Sequence, residues 1–385
     1  MRQPVIILGL ILLLTLTPLS MYAFAPENGE YGPIPVQQDT IEVITASSAR
    51  IKRKPQNFDL NLIAAPHYSQ DIELGVGIAA SGIYSTNRPD SLTPPSNISL
   101  FGDISITGFY LAGITGSNIF PQEKWKIDYN LLIYSLPGNF WGIGYSNGTN
   151  DNNMTKFVRL QMEAATSITF RLARNLYTGA TLSFNSTRAK EITPKALELL
   201  NGELTSQIRY GAGITISYDS RDFIPNPYKG VYAKIIQKGY TNFEGKPFWS
   251  TDLTLDFYRK ICKGGVLALD LYGLLQYGDV PWSMKSALGG TSRMRGYYKG
   301  RYRDDNLLSI QMEYRQRIWS VHGIAAWIGG GTVWGKEEKF SWSHILPNYG
   351  IGYRLAFKDR INIRLDYGFG KRGEHGFIFS LNEAF

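Results

Sequence analysis

Apolar and polar residues alternate strictly over long stretches of this chain. Between residues 206 and 219, the even positions carry Ile208, Tyr210, Ala212, Ile214, Ile216 and Tyr218, and the odd positions carry Arg209, Gly211, Gly213, Thr215, Ser217 and Asp219. Side chains alternate between the two faces of a β-strand, so this segment presents one apolar and one polar face. The same alternation recurs at 248–258, 306–319 and 361–369, again with charged residues on the polar face. The pattern predicts amphipathic strands.

Sixteen segments fit this pattern, and we predict a strand in each. Their bounds are 58–66, 71–84, 100–116, 124–134, 139–146, 156–173, 176–187, 206–219, 229–240, 248–261, 265–277, 306–319, 322–334, 347–357, 360–369 and 377–385. Short connections at one end should alternate with longer outer loops, and 188–205, 278–305 and 335–346 are long on the same side. Residues 85–99 are long where a short turn is expected, so we expect an error among the first three strand boundaries.

The charges on the polar faces distinguish two all-β architectures. A soluble sandwich would have to leave one face of every strand in water. A wide barrel instead encloses a hydrated lumen and turns its apolar side to lipid. We therefore predict an all-β fold, a transmembrane antiparallel β-barrel of about 16 strands.

The N-terminus has the features of an export signal. A basic start precedes an apolar run at 5–16, and Ala23-Phe24-Ala25 offers an A-x-A cleavage site. Pro26 would follow the cut, where proline is poorly tolerated, so cleavage near Ala23, a retained segment and a buried N-terminal helix are alternatives. We predict a signal peptide at 1–25, a periplasmic linker at 26–57 and the barrel at 58–385.

Composition supports strands rather than membrane helices. The chain is 43% hydrophobic with a mean hydropathy of −0.17, and after residue 25 no apolar run approaches the roughly 20 residues of a spanning helix. Its 24 Tyr, 19 Phe and 8 Trp fit the aromatic girdles of an outer-membrane barrel. The single Cys262 allows no internal disulfide and no cysteine metal cluster, and we predict no cofactor.

The net charge of +8 does not indicate nucleic-acid binding, because the basic residues are spread along strands and loops. One compact run, Arg50, Lys52, Arg53 and Lys54, lies in the predicted linker. It either contacts acidic lipid head groups or is merely solvated. We therefore expect lipids, and no nucleic acid, among the partners.

A glycine- and arginine-rich segment, GGTSRMRGYYKGR at 289–301, precedes the strand at 306–319. Its Arg295-Gly296-Tyr297 resembles the loop motif of the BamA/TamA outer-membrane assembly barrels, and Glu313-Tyr314-Arg315 resembles the motif of the strand that follows that loop. The segment Tyr218-Asp219-Ser220-Arg221-Asp222, followed by Pro225, Pro227 and Gly230, is similar to the family's periplasmic-turn signature. The resemblance covers residues 58–385 and implies a sixteen-stranded barrel with five strands after the loop.

Two features depart from the family pattern. Residues 26–57 leave no room for a periplasmic POTRA domain, which full members carry ahead of the barrel. The family usually pairs the loop arginine with an acidic residue, and the matching position in WIGGGTVWG is Gly329. Glu313 is then the remaining candidate partner of Arg295.

A long loop that enters the lumen of so wide a barrel needs ionic anchoring to the wall. Arg295 presents a planar fork of donors that suits a carboxylate such as Glu313. We predict that the two pair, and that Gly289, Gly290 and Gly296 allow the loop to turn sharply against the wall. The alternative is an Arg295 on a solvated outer loop.

The last predicted strand, 377–385, carries Phe377 and Phe379 and ends on Phe385. A terminal aromatic residue on an amphipathic strand resembles the signal by which outer-membrane barrels are recognised for insertion. We therefore expect Phe377, Phe379 and Phe385 to act in targeting.

Enzyme signatures are weak. The four histidines are isolated, and neither G-x-S-x-G nor H-E-x-x-H occurs. A barrel phospholipase that assembles Ser and His from distant strands stays an alternative to a non-enzymatic protein.

The resemblance implies a non-enzymatic accessory component of outer-membrane protein insertion, or of surface-protein or lipid handling, in the bacterial outer membrane. Its expected partners are outer-membrane lipids, including lipopolysaccharide, and other subunits of the assembly complex. The competing function is a passive or gated channel or transporter with a plugging loop.

Overall fold

The computed structural model describes residues 59–69, 73–85, 95–242, 246–336, 338–358 and 360–385. The predicted signal peptide and linker, including the basic run at 50–54, lie outside these described residues.

The strands are β1 (Asp59–Ser69), β2 (Glu73–Tyr84), β3 (Ser96–Ser105), β4 (Tyr110–Ile119), β5 (Trp125–Phe140), β6 (Thr155–Ala173), β7 (Leu176–Lys190), β8 (Ser206–Asp219), β9 (Gly230–Thr241), β10 (Phe248–Cys262), β11 (Gly265–Gly278), β12 (Ser286–Ala287), β13 (Arg303–Asp304), β14 (Asn306–Trp319), β15 (His322–Trp334), β16 (Leu346–Lys358), β17 (Ile361–Phe369) and β18 (His375–Leu381). Two short helices, α1 (Tyr145–Thr149) and α2 (Pro194–Leu200), lie in loops. Single 3-10 turns occur at Pro121–Glu123, Asp151–Asn153, Trp282–Met284, Trp342–His344 and Lys371–Gly373. Among the described helices, none is long and apolar enough to cross a membrane.

Sixteen of these strands form one closed antiparallel barrel, in which each strand pairs with its sequence neighbour. The short β12 and β13 pair only with each other, inside the long connection between β11 and β14. The barrel closes where β1 meets β18, and we call this junction the seam. All-β architecture and the strand number are as predicted.

Burial is inverted relative to a soluble protein. On β8, Ile208 is 45% exposed and Ile214 is 58% exposed, whereas Arg209 retains only 5% of its accessible surface. Aliphatic side chains therefore cover the outside and ionic side chains line the lumen, as expected where lipid surrounds a wet interior.

Two errors in the predicted strands cancel in the strand number. The predicted strand 100–116 is wrong, because the chain turns between β3 and β4 at residues 106–109, where Gly108 has φ 84°. A glycine adopts this left-handed conformation without strain.

The predicted strand 124–134 is confirmed but ends too early, because β5 continues to Phe140, and the separate strand predicted at 139–146 is wrong, because residues 141–146 leave the sheet and enter α1. Pro137 does not break β5. Pairing with β4 ends at Ser135, while pairing with β6 continues to Phe140. Proline is tolerated where a strand has a neighbour on one side only.

The long connections at 191–205, 279–305 and 335–345 all leave the same end of the barrel. The connection from Tyr84 to Ser96 joins β2 to β3 at the opposite, short-turn end. The departure noted in the sequence therefore persists with the corrected strands, although most residues of this connection lie outside the described part of the chain.

Candidate functional site

The connection between β11 and β14, residues 279–305, folds into the lumen, and we call it the inner loop. Its Leu288, Met294, Tyr297 and Tyr302 are almost fully buried in a cluster with Leu307, Val333 and Leu346 of the barrel wall. The lumen at the long-loop end is therefore packed by this loop.

Arg295 lies at the tip of the inner loop and is completely buried. Its Nη2 is 2.5 Å from Oε2 of Glu313 on β14, and its Nη1 is 2.6 Å from Oδ2 of Asp366 on β17. The guanidinium also lies 3.6 Å from the ring centroid of Trp327 on β15. One side chain thus contacts three strands, and the structure brings Arg295 to Glu313, the partner chosen from the sequence.

Sequence reasoning missed Asp366 as a partner of Arg295. The alternation of β17 places Asp366 on the polar face, but nothing in the linear sequence relates it to Arg295. The carboxylate absent at position 329 is supplied from another strand. A side chain at Gly329 would place its Cβ 2.4 Å from the carbonyl oxygen of Ile310, so this position has no room for an acid.

The inner loop approaches the wall backbone to backbone. Gly296 has φ 105°, and a Cβ there would lie 2.6 Å from the carbonyl carbon of Gly368 on β17. Gly289 and Gly290 also have positive φ, 104° and 135°. Only glycine combines this conformation with such an approach.

Further arginines surround the same acids. Glu313 accepts a hydrogen bond from Nε of Arg315 at 2.6 Å, and Asp366 accepts one from Nη1 of Arg354 at 2.5 Å. Glu383 lies 2.8 Å from Nε of Arg354 and 3.4 Å from Nε of Arg315. Because every acid here has at least two guanidinium partners, their burial is compensated, whereas removing one charge would upset the charge balance of the whole buried cluster.

Three more contacts, made by Arg293 and Tyr297, hold the inner loop in place. Nη2 of Arg293 lies 2.7 Å from Oδ1 of Asp270 on β11. The Tyr297 hydroxyl donates to the carbonyl oxygen of Pro347 at 2.6 Å and accepts from the Lys371 amide at 2.7 Å. Burial raises the pKa of Tyr297 well above its ordinary value, so the phenol stays protonated.

The predicted periplasmic-turn residues lie in the connection between β8 and β9, which we call the β8–β9 turn (residues 220–229). The Asp219 carboxylate accepts hydrogen bonds from Nε and Nη2 of Arg221 at 3.0 and 2.7 Å. Gly230 has φ 122°, and a Cβ there would lie 2.5 Å from the carbonyl oxygen of Ser220. The motif therefore stabilises a tight turn.

The same turn reaches across the barrel mouth. Oδ2 of Asp222 is 3.0 Å from Nη1 of Arg360 in the β16–β17 turn, and Arg360 also lies 4.0 Å from the ring centroid of Tyr228. Between β9 and β16 the sheet contains four strands, β10, β11, β14 and β15. The carbonyl oxygen of Pro225 accepts from the Glu383 amide at 3.3 Å, which ties this turn to the end of the chain.

The predicted final strand, 377–385, is wrong at its end. β18 stops at Leu381, Asn382 has φ 63°, and residues 382–385, here called the tail, turn into the lumen. The Glu383 carboxylate pairs with Arg354 and Arg315 inside the lumen, which stabilises the inward turn of the tail. Phe385 consequently lies 5.2 Å from the guanidinium of Arg315 and not on the strand, while Phe377 remains on the outer face, 37% exposed.

The lipid-facing exterior, the closed antiparallel sheet and the loop held in the lumen define a bacterial outer-membrane β-barrel. The chain belongs to the Omp85 superfamily, whose domain model matches residues 116–385. The resemblance to BamA/TamA-type barrels is thereby confirmed. No curated protein sequence matches the chain.

Solved structures share the fold. BamA from Haemophilus ducreyi lacking POTRA domains 1–3 matches with a TM-score of 0.59 at 11% identity, over 86% of this chain and 71% of that one. CdiB from Acinetobacter baumannii matches with a TM-score of 0.56 at 13% identity, over 86% of this chain and 60% of that one. CdiB from Escherichia coli matches with a TM-score of 0.56 at 10% identity, over 86% and 63%.

Proposed function

We propose that this barrel takes part in inserting proteins into the outer membrane, as an accessory component, by opening at the seam. The observation that carries the proposal is the unequal pairing of β1. β1 pairs with β2 from Asp59 to Ser69, whereas in the described residues Tyr68 opposite Phe379 is its single register pair with β18.

The inward turn of the tail accounts for this inequality. In the antiparallel register at the seam, Leu381 falls opposite Pro66. The residues of β1 before Pro66 therefore have no β18 residue opposite them. An unpaired strand edge is a template for another strand, and strand addition is a known mode of recognition.

The ion-pair cluster of Arg295, Glu313, Arg315, Arg354, Asp366 and Glu383, which we call the Arg295 cluster, argues against opening between the strands on the C-terminal side of the seam. It ties the inner loop to β14, β15 and β17, while Arg354 adds β16. These four strands are thus linked by ionic and cation–π contacts on the C-terminal side of the seam. A break there would separate buried charges from one or more of their partners, whereas a break between β1 and β18 would separate a single register pair in the described residues.

The partners that fit this role are other subunits of an outer-membrane assembly complex, which would present the client chain, and outer-membrane lipids including lipopolysaccharide around the aliphatic exterior. The role is non-enzymatic: the residues described here anchor and pair, and the proposal requires no bond-breaking step.

A passive or gated channel is the second candidate, and the observation that favours it is the inner loop packed in the lumen. Planar-bilayer recordings separate the two functions. A large, solute-selective conductance supports transport, while accelerated folding of a client barrel supports insertion. Copurification with assembly-complex subunits from outer membranes would also favour insertion.

A disulfide across the seam tests the mechanism directly. Tyr68→Cys and Phe379→Cys are introduced into a Cys262→Ser background, and folding of a client barrel is followed in proteoliposomes. We expect the oxidised protein to lose its acceleration of client folding and to regain it on reduction, because the β1 edge can no longer separate.

The matched control joins Met312→Cys and Ile328→Cys, which are register partners on β14 and β15 and both face outward. This disulfide should leave the acceleration unchanged. Undiminished client folding with the seam oxidised would overturn the proposed mechanism.

A further inference from the structure

A basic cluster lines the lumen on the wall opposite the Arg295 anchor. Arg159 on β6 retains 8% of its accessible surface. Its side chain forms no hydrogen bond or ion pair with the residues that the structure describes, and its Nε is fully buried. A buried guanidinium has five donors and does not lose its charge, so such a site requires an anionic partner.

Arg159 shares the Glu163 carboxylate with two lysines. Arg159, Lys238 on β9 and Lys299 of the inner loop all interact electrostatically with Glu163, which is the carboxylate they share. Glu163 is already bound by the Tyr134 hydroxyl at 2.8 Å and by the Gln161 amide. Glu163 is therefore shared by three cations, while Nε of Arg159 and Nε of Arg303 are both buried without a hydrogen-bond partner in the described residues.

Arg303 of the inner loop adds a fourth cation. Its Nη1 donates to the carbonyl oxygen of Trp282 at 3.3 Å. Burial, and next the positive charge of Arg159, lower the pKa of Arg303 to about 9. The inner loop is thus attracted to the wall at Glu313 and Asp366, but it faces a like charge at Arg159.

We propose that Arg159, Lys238, Lys299 and Arg303 form a binding site for a phosphate-type oxyanion, held between the wall and the inner loop. Guanidinium forks match the geometry of phosphate oxygens, and ammonium groups add point charges. The anion would remove the repulsion between Arg159 and Arg303. It would thereby hold the inner loop against β6, in addition to its contacts with Glu313 and Asp366.

The test is the melting temperature of the full-length protein in a maltoside detergent, measured against inorganic phosphate with chloride of equal ionic strength as reference. A ligand that binds only the folded state raises the melting temperature in a saturable manner. We expect a saturable rise with phosphate that chloride does not reproduce.

The Arg159→Gln variant should melt higher than the native protein without phosphate, because the repulsion is relieved, and should lose the phosphate-dependent shift. The matched control is Arg171→Gln, at an exposed position of the same strand, which should change neither value. Arg303→Gln provides the same test from the loop side if Arg159→Gln does not fold.

A second melting experiment identifies the source of the phosphate group. In it, phosphatidylglycerol in the maltoside micelles replaces inorganic phosphate. A shift with the lipid alone would identify a head group as the ligand, and a shift with inorganic phosphate would identify a free oxyanion. Absence of both shifts, or an unchanged shift in Arg159→Gln, would overturn the site.

Discussion

The Arg295 guanidinium uses its donors on two carboxylates from strands that are not neighbours, Glu313 on β14 and Asp366 on β17. A lysine could not reproduce this, since a single ammonium lacks the planar fork. Arg295 therefore holds the inner loop in the lumen and at the same time links β14 to β17.

Charge reversal tests this arrangement. Arg295→Glu should destabilise the folded barrel by about 3–5 kcal/mol, because three buried carboxylates would then face each other. Adding Glu313→Arg should restore part of this loss but not all of it, since Asp366 keeps its negative charge. The free energy of unfolding in urea, in detergent, measures both changes.

A surface reversal, Arg171→Glu, controls for net charge and should change the unfolding free energy by less than about 1 kcal/mol. Coupling between Arg295 and Glu313 appears as a non-additive double mutant. Strictly additive losses would show that the two side chains act independently.

The sequence predicts an ion pair correctly where both residues lie in neighbouring motifs, and it misses partners that are far apart in the chain. Arg295 and Glu313 are 18 residues apart and flank one loop, so a motif reveals both. Asp366 is 71 residues from Arg295, and only the closed sheet brings it near. Glu383 is hidden for the same reason, because the strand pattern continues past the point where the chain turns inward.

At the scale of elements, the sequence predicts the β8–β9 turn but not the contacts that this turn makes with other parts of the barrel. Its motif indicates a tight turn, but the contact with Arg360 arises only because the two turns meet across the barrel mouth. Strand boundaries show the same limit: alternation identifies the strands, whereas the turn at Gly108 and the continuation of β5 past Pro137 depend on where neighbouring strands end.

The β8–β9 turn should be sensitive to acid. Burial raises the pKa of Asp222, but the hydrogen bonds from Arg360 and from the Tyr228 and Lys229 amides outweigh it, so the pKa lies below its ordinary value. A depressed carboxyl pKa gives stability that is present above the unfolded pKa of about 4 and is lost as pH falls through the folded value. The turn should therefore loosen in acid.

Protease cleavage within the β8–β9 turn, followed from neutral to acidic pH, measures this loosening. The native protein should become more susceptible as Asp222 protonates, while Asp222→Asn should be susceptible at every pH. Asp151→Asn changes a carboxylate that is 84% exposed and should behave like the native protein. A pH profile shared by Asp222→Asn and the native protein would exclude the Asp222–Arg360 pair as its cause.

At the scale of the whole molecule, the barrel class follows directly from the sequence, because alternation, charge on one face and aromatic content all act over hundreds of residues. Closure does not follow. The seam depends on a few residues at each end of the sheet, and the alternation that predicts strands continues through the tail, which leaves the sheet.

Insertion of the whole barrel should depend on its last residue. Deleting Phe385 should lower the amount of folded protein in the outer membrane, because the terminal aromatic is proposed to act in recognition and also lies against Arg315 and Tyr258. Heat-modifiable mobility of the membrane fraction measures the folded amount.

Glu383→Gln separates these two roles, because it removes the charge that holds the tail to Arg354 and Arg315 but keeps the aromatic residue. If Phe385 acts in recognition, this variant should insert normally while the deletion does not. Equal insertion of the deletion variant and the native protein would exclude a targeting role.

The ion pairs of the Arg295 cluster lie on only one side of the seam, so the two sides of the seam are not equally rigid. The strands β14 to β17 on the C-terminal side of the seam are fastened to one another through the lumen, while in the described residues β1 has eleven register partners on β2 and one on β18. If the seam opens as proposed, the N-terminal flank would move away from a braced one, and a client strand would add to the β1 edge, so that the new sheet would extend from one side only.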